Sequence, residues 1–319
     1  MKASIVISSH NEGDCLWKTV RSCKHTAGAL DCEIVVADDA STDGSIAKLR
    51  RRYPDVRVVA FPERRGVSPT KDLGARHARG DVLIFLDGHC NPEPGAILRL
   101  INDVEELRGN AVVFPRVPPL DVESWENSYH QVGYGFRMHL NRFECEWIRR
   151  RDLERRGQKH IIPCFVGCCV AMSLDLYERL GGFDPDMLQW GMEDVDFAIK
   201  AWLMGHEVLN DPFATIGHRF SGSFRYPVDQ EHPLVNQLRT ARKHFTDRVW
   251  ESCLRRFRAR HAGLWDSVWS IYKAREASVE REREFFLSHR VRDEFWYARR
   301  FGLTWPRGGA PKLLRRGSS

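Results

Sequence analysis

The sequence predicts an α/β protein: a mostly parallel sheet flanked by helices, followed by a helical C-terminal extension. Three observations carry this. Short β-branched runs alternate with helical stretches through the first half of the chain, the order that right-handed crossovers wind into a parallel sheet. One run, Asp81 to Leu86 (DVLIFL), is apolar throughout its middle, as strands covered on both faces are. Polar or acidic clusters close three of the runs. In open α/β sheets the ligand crevice lies beyond such carboxyl ends.

Taken in order, Ser4 to Ser8 (SIVIS) reads as the first strand, ending in His10-Asn11-Glu12-Gly13, with a helix near Leu16 to Lys24 behind it. Glu33 to Ala37 (EIVVA) is the second and ends in Asp38-Asp39-Ala40-Ser41-Thr42-Asp43-Gly44. The helix after it runs to about Arg52 and stops before Pro54, which cannot continue it. Val56 to Phe61 is a third strand, Lys71 to Ala78 a helix, and Asp81 to Leu86 the fourth strand, closed by Asp87-Gly88-His89. Arg142 to Lys159 is a charged stretch read as a solvated helix or loop. Apolar order returns over Ile161 to Met172, then a helix through Leu180, a Gly181-Gly182 turn, and a helix from about Glu193 to Met204. We divide the chain into a catalytic domain over 1–235 and an extension over 236–319. The tail from Pro306 has a disordered composition.

The 319 residues suffice for one α/β core plus an extension, and 29% charged residues is too many for a membrane bundle. The net charge of +6 is mild, but residues 235–319 hold 20 basic and 9 acidic side chains. Such a tail suits nucleic acid, an anionic surface or an acidic acceptor. Nine cysteines without a repeated C-x-x-C argue against a zinc ribbon or a disulfide scaffold. MKASIVISSHNEGD turns polar too early for a signal-peptide core. No run approaches the roughly 20 apolar residues of a membrane span. The expectation is a cytoplasmic protein.

Asp87-Gly88-His89 is the first candidate site. In an extended segment, residues two apart project to one side, so a carboxylate and an imidazole can share a cation. Gly88 between them lets a ligand approach the backbone. Oxygen plus nitrogen suits Mn²⁺ or a similar borderline ion. His218, in ATIGHRF, is the best third ligand. The second candidate is Trp190-Gly191-Met192-Glu193-Asp194-Val195-Asp196, with three acids at a helix start. Capping chemistry explains them equally well, but a carboxylate there can also serve as general base to an acceptor. Glu193 and Asp196 share a face, with Asp194 about 100° away. Asp38 and Asp39 can meet a nucleotide's base or ribose, or simply stabilise their turn.

No G-x-G-x-x-G follows the first strand and no G-x-x-x-x-G-K-S/T occurs, which disfavours dinucleotide dehydrogenases and P-loop NTPases. A nucleotidyltransferase is weaker still, because its glycine-rich N-terminal loop is missing.

The runs SIVISSHNE, EIVVADDAS, RRG, ARGDVLIFLDGHC, GCCVAMSLDLYERLGGFDP, QWGMEDVDF and IGHRF, in that order, resemble GT-A-fold (Rossmann-like) nucleotide-sugar glycosyltransferases. The resemblance is particularly to the catalytic domain of polypeptide N-acetylgalactosaminyltransferases and spans about residues 4 to 220. It implies that Asp87, His89 and His218 hold Mn²⁺ (or Mg²⁺) against a UDP diphosphate. It further implies that Asp38 or Asp39 and Arg64 contact uridine or ribose, and that Trp190, Glu193 and Asp194 line the sugar and acceptor side. Arg225 and Tyr226 fall where the family has a loop that closes over the donor. The implied reaction transfers a hexose or N-acetylhexosamine from a UDP-sugar to a peptide, protein or other polymer.

Two departures stand out. That family carries Glu-Asn where this chain has Glu193-Asp194; a Glu-Asp pair is similar to inverting family 2 enzymes and β-1,4-galactosyltransferases. The overall match implies retention and Asp194 implies inversion, and both stay open. The chain also lacks the secretory anchor and lectin domain of the animal enzymes, like a compact microbial or viral relative.

Phe257, Trp265, Trp269, Tyr272, Phe285, Phe286, Trp296 and Trp305 interleave with arginine in the extension. At helical spacing they read first as packing residues. The alternative is a platform for nucleic acid, either as a modified-base acceptor or as the ligand of a non-catalytic binding protein on a degenerate fold.

Overall fold

A computed structural model of the chain describes residues 2–139, 144–221 and 227–303. Its strands are β1 (Ala3–Ser9), β2 (Cys32–Asp38), β3 (Arg57–Ala60), β4 (Val82–Asp87), β5 (Cys90–Pro92), β6 (Ala111–Arg116) and β7 (Leu120–Asp121). Then come β8 (Glu126–Asn127), β9 (Phe136–His139), β10 (Glu144–Trp147), β11 (Glu154–Arg156), β12 (Lys159–Ile161), β13 (Cys169–Ser173) and β14 (Glu207–His218). The main sheet has the order β11-β12-β14-β6-β13-β4-β1-β2-β3, with β5 paired to β14. Strands β3, β2, β1 and β4 are parallel. β13 runs antiparallel between β4 and β6, and β6 is parallel to β14. The ends of β4, β6 and β14 therefore lie on one side of the sheet. The four expected strands of the first half are all present, and Val82 to Leu86 are wholly buried.

Helices α1 (Asp14–Ala27), α2 (Ser45–Arg52), α3 (Val67–Arg76), α4 (Ala96–Glu106), α5 (Leu174–Arg179) and α6 (Glu193–Leu203) flank the sheet. α3 lies against β1 because Gly74 has no side chain: a Cβ there would sit 2.3 Å from Val6 Cγ1. α7 (Glu231–His244), α8 (Asp247–Arg260), α9 (Trp265–Lys273), α10 (Glu276–His289) and α11 (Glu294–Phe301) form the extension.

The charged stretch is corrected: where a helix or loop was expected, β10, a short 3₁₀ turn, β11 and β12 are found. Glu154, Arg155 and Arg156 are exposed on the sheet's outermost strand. Edge strands commonly carry charge because it discourages pairing with other chains, so the charge hid the strands.

Most of the aromatic residues of the extension pack, whereas Phe285 is exposed. Phe257, Trp265, Tyr272 and Phe286 are buried, Trp269 and Trp296 are half-buried, and Trp265 stacks on Trp269 at 5.0 Å. One hydrophobic core runs from the sheet into these helices. Trp305 lies outside the described residues. A buried ion network adds to the apolar contact. Lys243 Nζ of α7 is 2.6 Å from Asp184, 2.8 Å from Asp196 of α6 and 3.1 Å from Glu282 of α10. Among the described residues no helix is long and apolar enough to cross a membrane.

Candidate active site

Asp87, His89 and His218 meet at the carboxyl ends of β4 and β14. Their ligand atoms all lie within 4.8 Å of one another. The Nε2 atoms of His89 and His218 face each other at 3.0 Å, and His218 Nε2 is 3.5 Å from Asp87 Oδ2. The route to this cluster differs from the expected one. β4 ends at Asp87, so Gly88 and His89 form a turn rather than an extended run. β5 then pairs antiparallel with β14, placing His218 opposite Cys90, next in sequence to His89. Nor does Gly88 clear space for a ligand. A Cβ there would meet Glu12 Cγ at 2.7 Å, so the glycine makes room for Glu12.

Glu12 accepts a hydrogen bond from His89 Nδ1 at 2.9 Å. The proton held at Nδ1 leaves Nε2 as a lone-pair donor, the carboxylate–histidine arrangement of metal sites. Burial lowers the His218 pKa despite Asp87 beside it, whereas at His89 burial is outweighed by Glu12 and Asp87, which raise the pKa, so a cation taken at its Nε2 would displace a proton. Burial alone would raise the Asp87 carboxyl, but Lys71, His218 and His89 outweigh it and hold the group well below the usual carboxylate range. One carboxylate and two imidazoles fit a borderline divalent cation such as Mn²⁺. Glu12→Gln is expected to weaken Mn²⁺ binding about 10–100-fold with little change in melting temperature; isothermal titration with Mn²⁺ checks it.

Behind the cluster, Lys71 of α3 is buried. Its ammonium donates to the Gly167 carbonyl at 2.6 Å, and lies 3.3 Å from Glu193 Oε1 and 3.7 Å from Asp87 Oδ1. Burial would lower its pKa, yet the charges of Asp87, Glu193 and Asp194 raise it. Asp194, half-buried, accepts from the Gly167 N–H at 2.9 Å and the Val195 N–H at 2.8 Å. Burial and the neighbouring Glu193 push its pKa up to about 7. Gly167 must lack a side chain, since a Cβ would lie 2.5 Å from Glu193 Oε1.

Glu193 and Asp196, expected on one face of the helix, meet different partners. Asp196 turns inward to Lys243 and to His244 Nε2, the latter at 2.9 Å, while Glu193 and Asp194 share Gly167. Met192, just before α6, has φ 75° and caps nothing with its side chain. The acids therefore sit in the first turn rather than at the N-cap position, where Asp194 still satisfies the Val195 N–H.

The other predicted residues lie around the same crevice with local partners. Asp38 accepts from Ser41 N and Oγ at 3.1 and 2.5 Å, and burial raises its pKa. Asp39 accepts from the N–H groups of Arg65 and Gly66 at 2.6 and 2.9 Å, pinning the entry to α3. Arg64 donates to the Pro227 carbonyl at 2.7 Å. Trp190 is 44% exposed in the loop before α6, its carbonyl accepting from Asn236 at 3.2 Å. Arg225 and Tyr226 lie outside the described residues. Glu12 and Lys71 were not singled out beforehand. Glu12 closes the polar cluster of the first strand, and Lys71 is a lone lysine in an otherwise buried face of α3.

A half-parallel sheet of this order, with an Asp-x-His cluster at its carboxyl edge, defines a GT-A-type fold. The model of glycosyl transferase family 2 matches residues 4–181, and the model described as the N-terminal domain of galactosyltransferase matches 151–221. The chain belongs to glycosyl transferase family 2. It is 31% identical over 256 residues to polypeptide N-acetylgalactosaminyltransferase 6 of Mus musculus, covering 75% of this chain and 41% of that one. It thus spans about two fifths of that relative's length. A crystal structure of GalNAc-T7 with UDP, GalNAc and Mn²⁺ shares the fold at TM-score 0.68 and 21% identity, covering 94% of this chain and 57% of that one. S. aureus TarS (residues 1–349) in complex with UDP-GlcNAc does so at TM-score 0.55 and 15% identity, covering 82% and 72%.

Proposed function

We propose that the protein is a metal-dependent glycosyltransferase. It moves a hexosyl or N-acetylhexosaminyl group from a UDP-sugar to a peptide, protein or other polymer. The observation that carries this reading is the convergence of Asp87, His89 and His218 on one point, backed by Glu12 and adjoining the Lys71–Glu193–Asp194 group. The relative named as a polypeptide N-acetylgalactosaminyltransferase, and the UDP, GalNAc and Mn²⁺ of the GalNAc-T7 crystal, support the donor, metal and acceptor classes.

Mn²⁺ or Mg²⁺ held by Asp87, His89 and His218 would neutralise charge on the departing diphosphate. Glu12 keeps His89 aimed, and Lys71 keeps Asp87 ionised while tying it to the acceptor side. Asp194, with its pKa near 7, accepts the proton of the acceptor group. Glu193 raises that pKa and orients Lys71. Asp38, Asp39 and Arg64 flank the donor, and Trp190 offers an exposed ring to the sugar. Nine free thiols are in keeping with a reducing, cytoplasmic setting.

The test is UDP release from a panel of UDP-sugars with Mn²⁺, with and without EDTA. Metal-dependent release from one or two sugars supports the reading. No release, from a folded protein that also fails to bind Mn²⁺, sinks it. The base role makes a separate prediction. The rate rises as pH passes about 7 and levels off above it, because the deprotonated form is the active one. Asp194→Asn removes that rise and slows transfer about 10²–10⁴-fold; a pH profile of both proteins checks it.

A further inference from the structure

On the same side of the sheet as Asp87, at its β11–β12 edge, a groove of about 570 Å³ opens between the end of β6, the bulged middle of β14 and the β11–β12 hairpin. Arg116, Arg150, Arg151 and Arg155 line it together with Tyr134 and Phe213, and no lining residue is acidic. The acids nearby are engaged elsewhere: Glu154 pairs with Arg300 at 2.8 Å, Glu207 with Arg156 at 3.1 Å, and Asp211 with Arg99. Asp152 reaches Arg151 only at 4.0 Å and does not line the groove. Arg116 is held in place, its Nε donating to Thr215 Oγ1 at 2.7 Å and its guanidinium 5.6 Å from the Tyr129 ring centroid. Phe213 is 62% exposed.

We infer that this groove binds the phosphate groups of a sugar-phosphate chain and so anchors the distal part of an acceptor. Four guanidinium forks in so small a volume call for compact anionic charge that accepts bidentate hydrogen bonds, which phosphate supplies. A peptide would need about 13 Å of extended chain to bring four carboxylates. Tyr134 and Phe213 add flat apolar faces suited to the C–H face of a sugar ring. From Phe213 to His218 is about 17 Å along β14, so a chain of a few sugars seated here would carry its far end to the metal cluster. That the chain is an acceptor rests on the transferase reading; the anion site stands without it.

The test is binding of a phosphorylated pentamannose to the full chain. Unphosphorylated mannopentaose and hexaglutamate serve as comparisons, and the variants are wild type and the double change R150S/R155S. The phosphorylated sugar is expected to bind wild type, the neutral sugar and the peptide at least tenfold more weakly. The double variant, altered at exposed positions and checked by its melting temperature, is expected to lose at least tenfold. Equal binding by a folded variant, equal or tighter binding of hexaglutamate, or no binding of the phosphorylated sugar overturns the inference. UDP release by wild type without any acceptor is measured in parallel. Its absence alongside retained sugar-phosphate binding counts against the transferase reading while supporting the anion site.

Discussion

Asp87→Ala is expected to reduce metal-dependent UDP release by about 10³-fold or more, which is about 4 kcal/mol of lost transition-state stabilisation. The carboxylate is the one anionic member of the cluster, and two imidazoles hold a divalent cation poorly without it. Its removal also takes from Lys71 the carboxylate at 3.7 Å, leaving Glu193 at 3.3 Å, so the ammonium no longer bridges the metal and acceptor sides. The fold is expected to survive. Asp87 sits at a strand end and its hydrogen bond from Ser8 Oγ is 3.2 Å long, so the melting temperature without metal should move little. Asp87→Asn sharpens the test, because an amide keeps the Ser8 hydrogen bond and removes the charge. If either variant bound Mn²⁺ and released UDP like wild type, the assignment of this cluster would fail.

The elements that position this cluster were legible because their signals are local. β1, β2 and β4 hold the apolar runs Ile5 to Ile7, Ile34 to Ala37 and Val82 to Leu86, and each ends in polar residues at the crevice. The long-range partners were not. Nothing near Glu12 in the sequence says that its carboxylate meets His89, 77 residues on. Lys71 reads as an ordinary helix lysine until Gly167 and Glu193 surround it. The i, i+3 rule correctly put Glu193 and Asp196 on related faces but could not say what faces them. The neighbours that decide it, Lys243 and His244, come from an extension read as a separate unit. β11 and β12 failed for the opposite reason: their charge is a property of an edge, and edge position is set by topology rather than by the segment itself.

The largest stability effect is expected at Lys243. Its ammonium is fully buried among Asp184, Asp196 and Glu282, and although burial would lower its pKa, the first two carboxylates raise it. Lys243→Met fills similar space but leaves Asp196 with His244 as its remaining close partner and Asp184 with Arg239. Removing one member of a buried ionic group strands the others, at a cost of about 3–5 kcal/mol. The pH dependence separates this from simple misfit. Burial opposes ionisation of Asp184 and Asp196, yet Lys243 and their other partners hold both below the usual range. In wild type they therefore stabilise the fold above about pH 4, and this is lost as pH falls through the folded-state values. In the variant these carboxyls protonate more readily, so the stability gap to wild type should narrow as pH falls from 7 toward 4. Urea midpoints at both pH values measure it; a gap that stayed constant would point to lost packing instead. Because Asp196 and Asp194 share α6, the same variant should also slow transfer, and Asp196 would then be a positioning residue acting through the helix. Transfer lost with full stability retained would contradict that link.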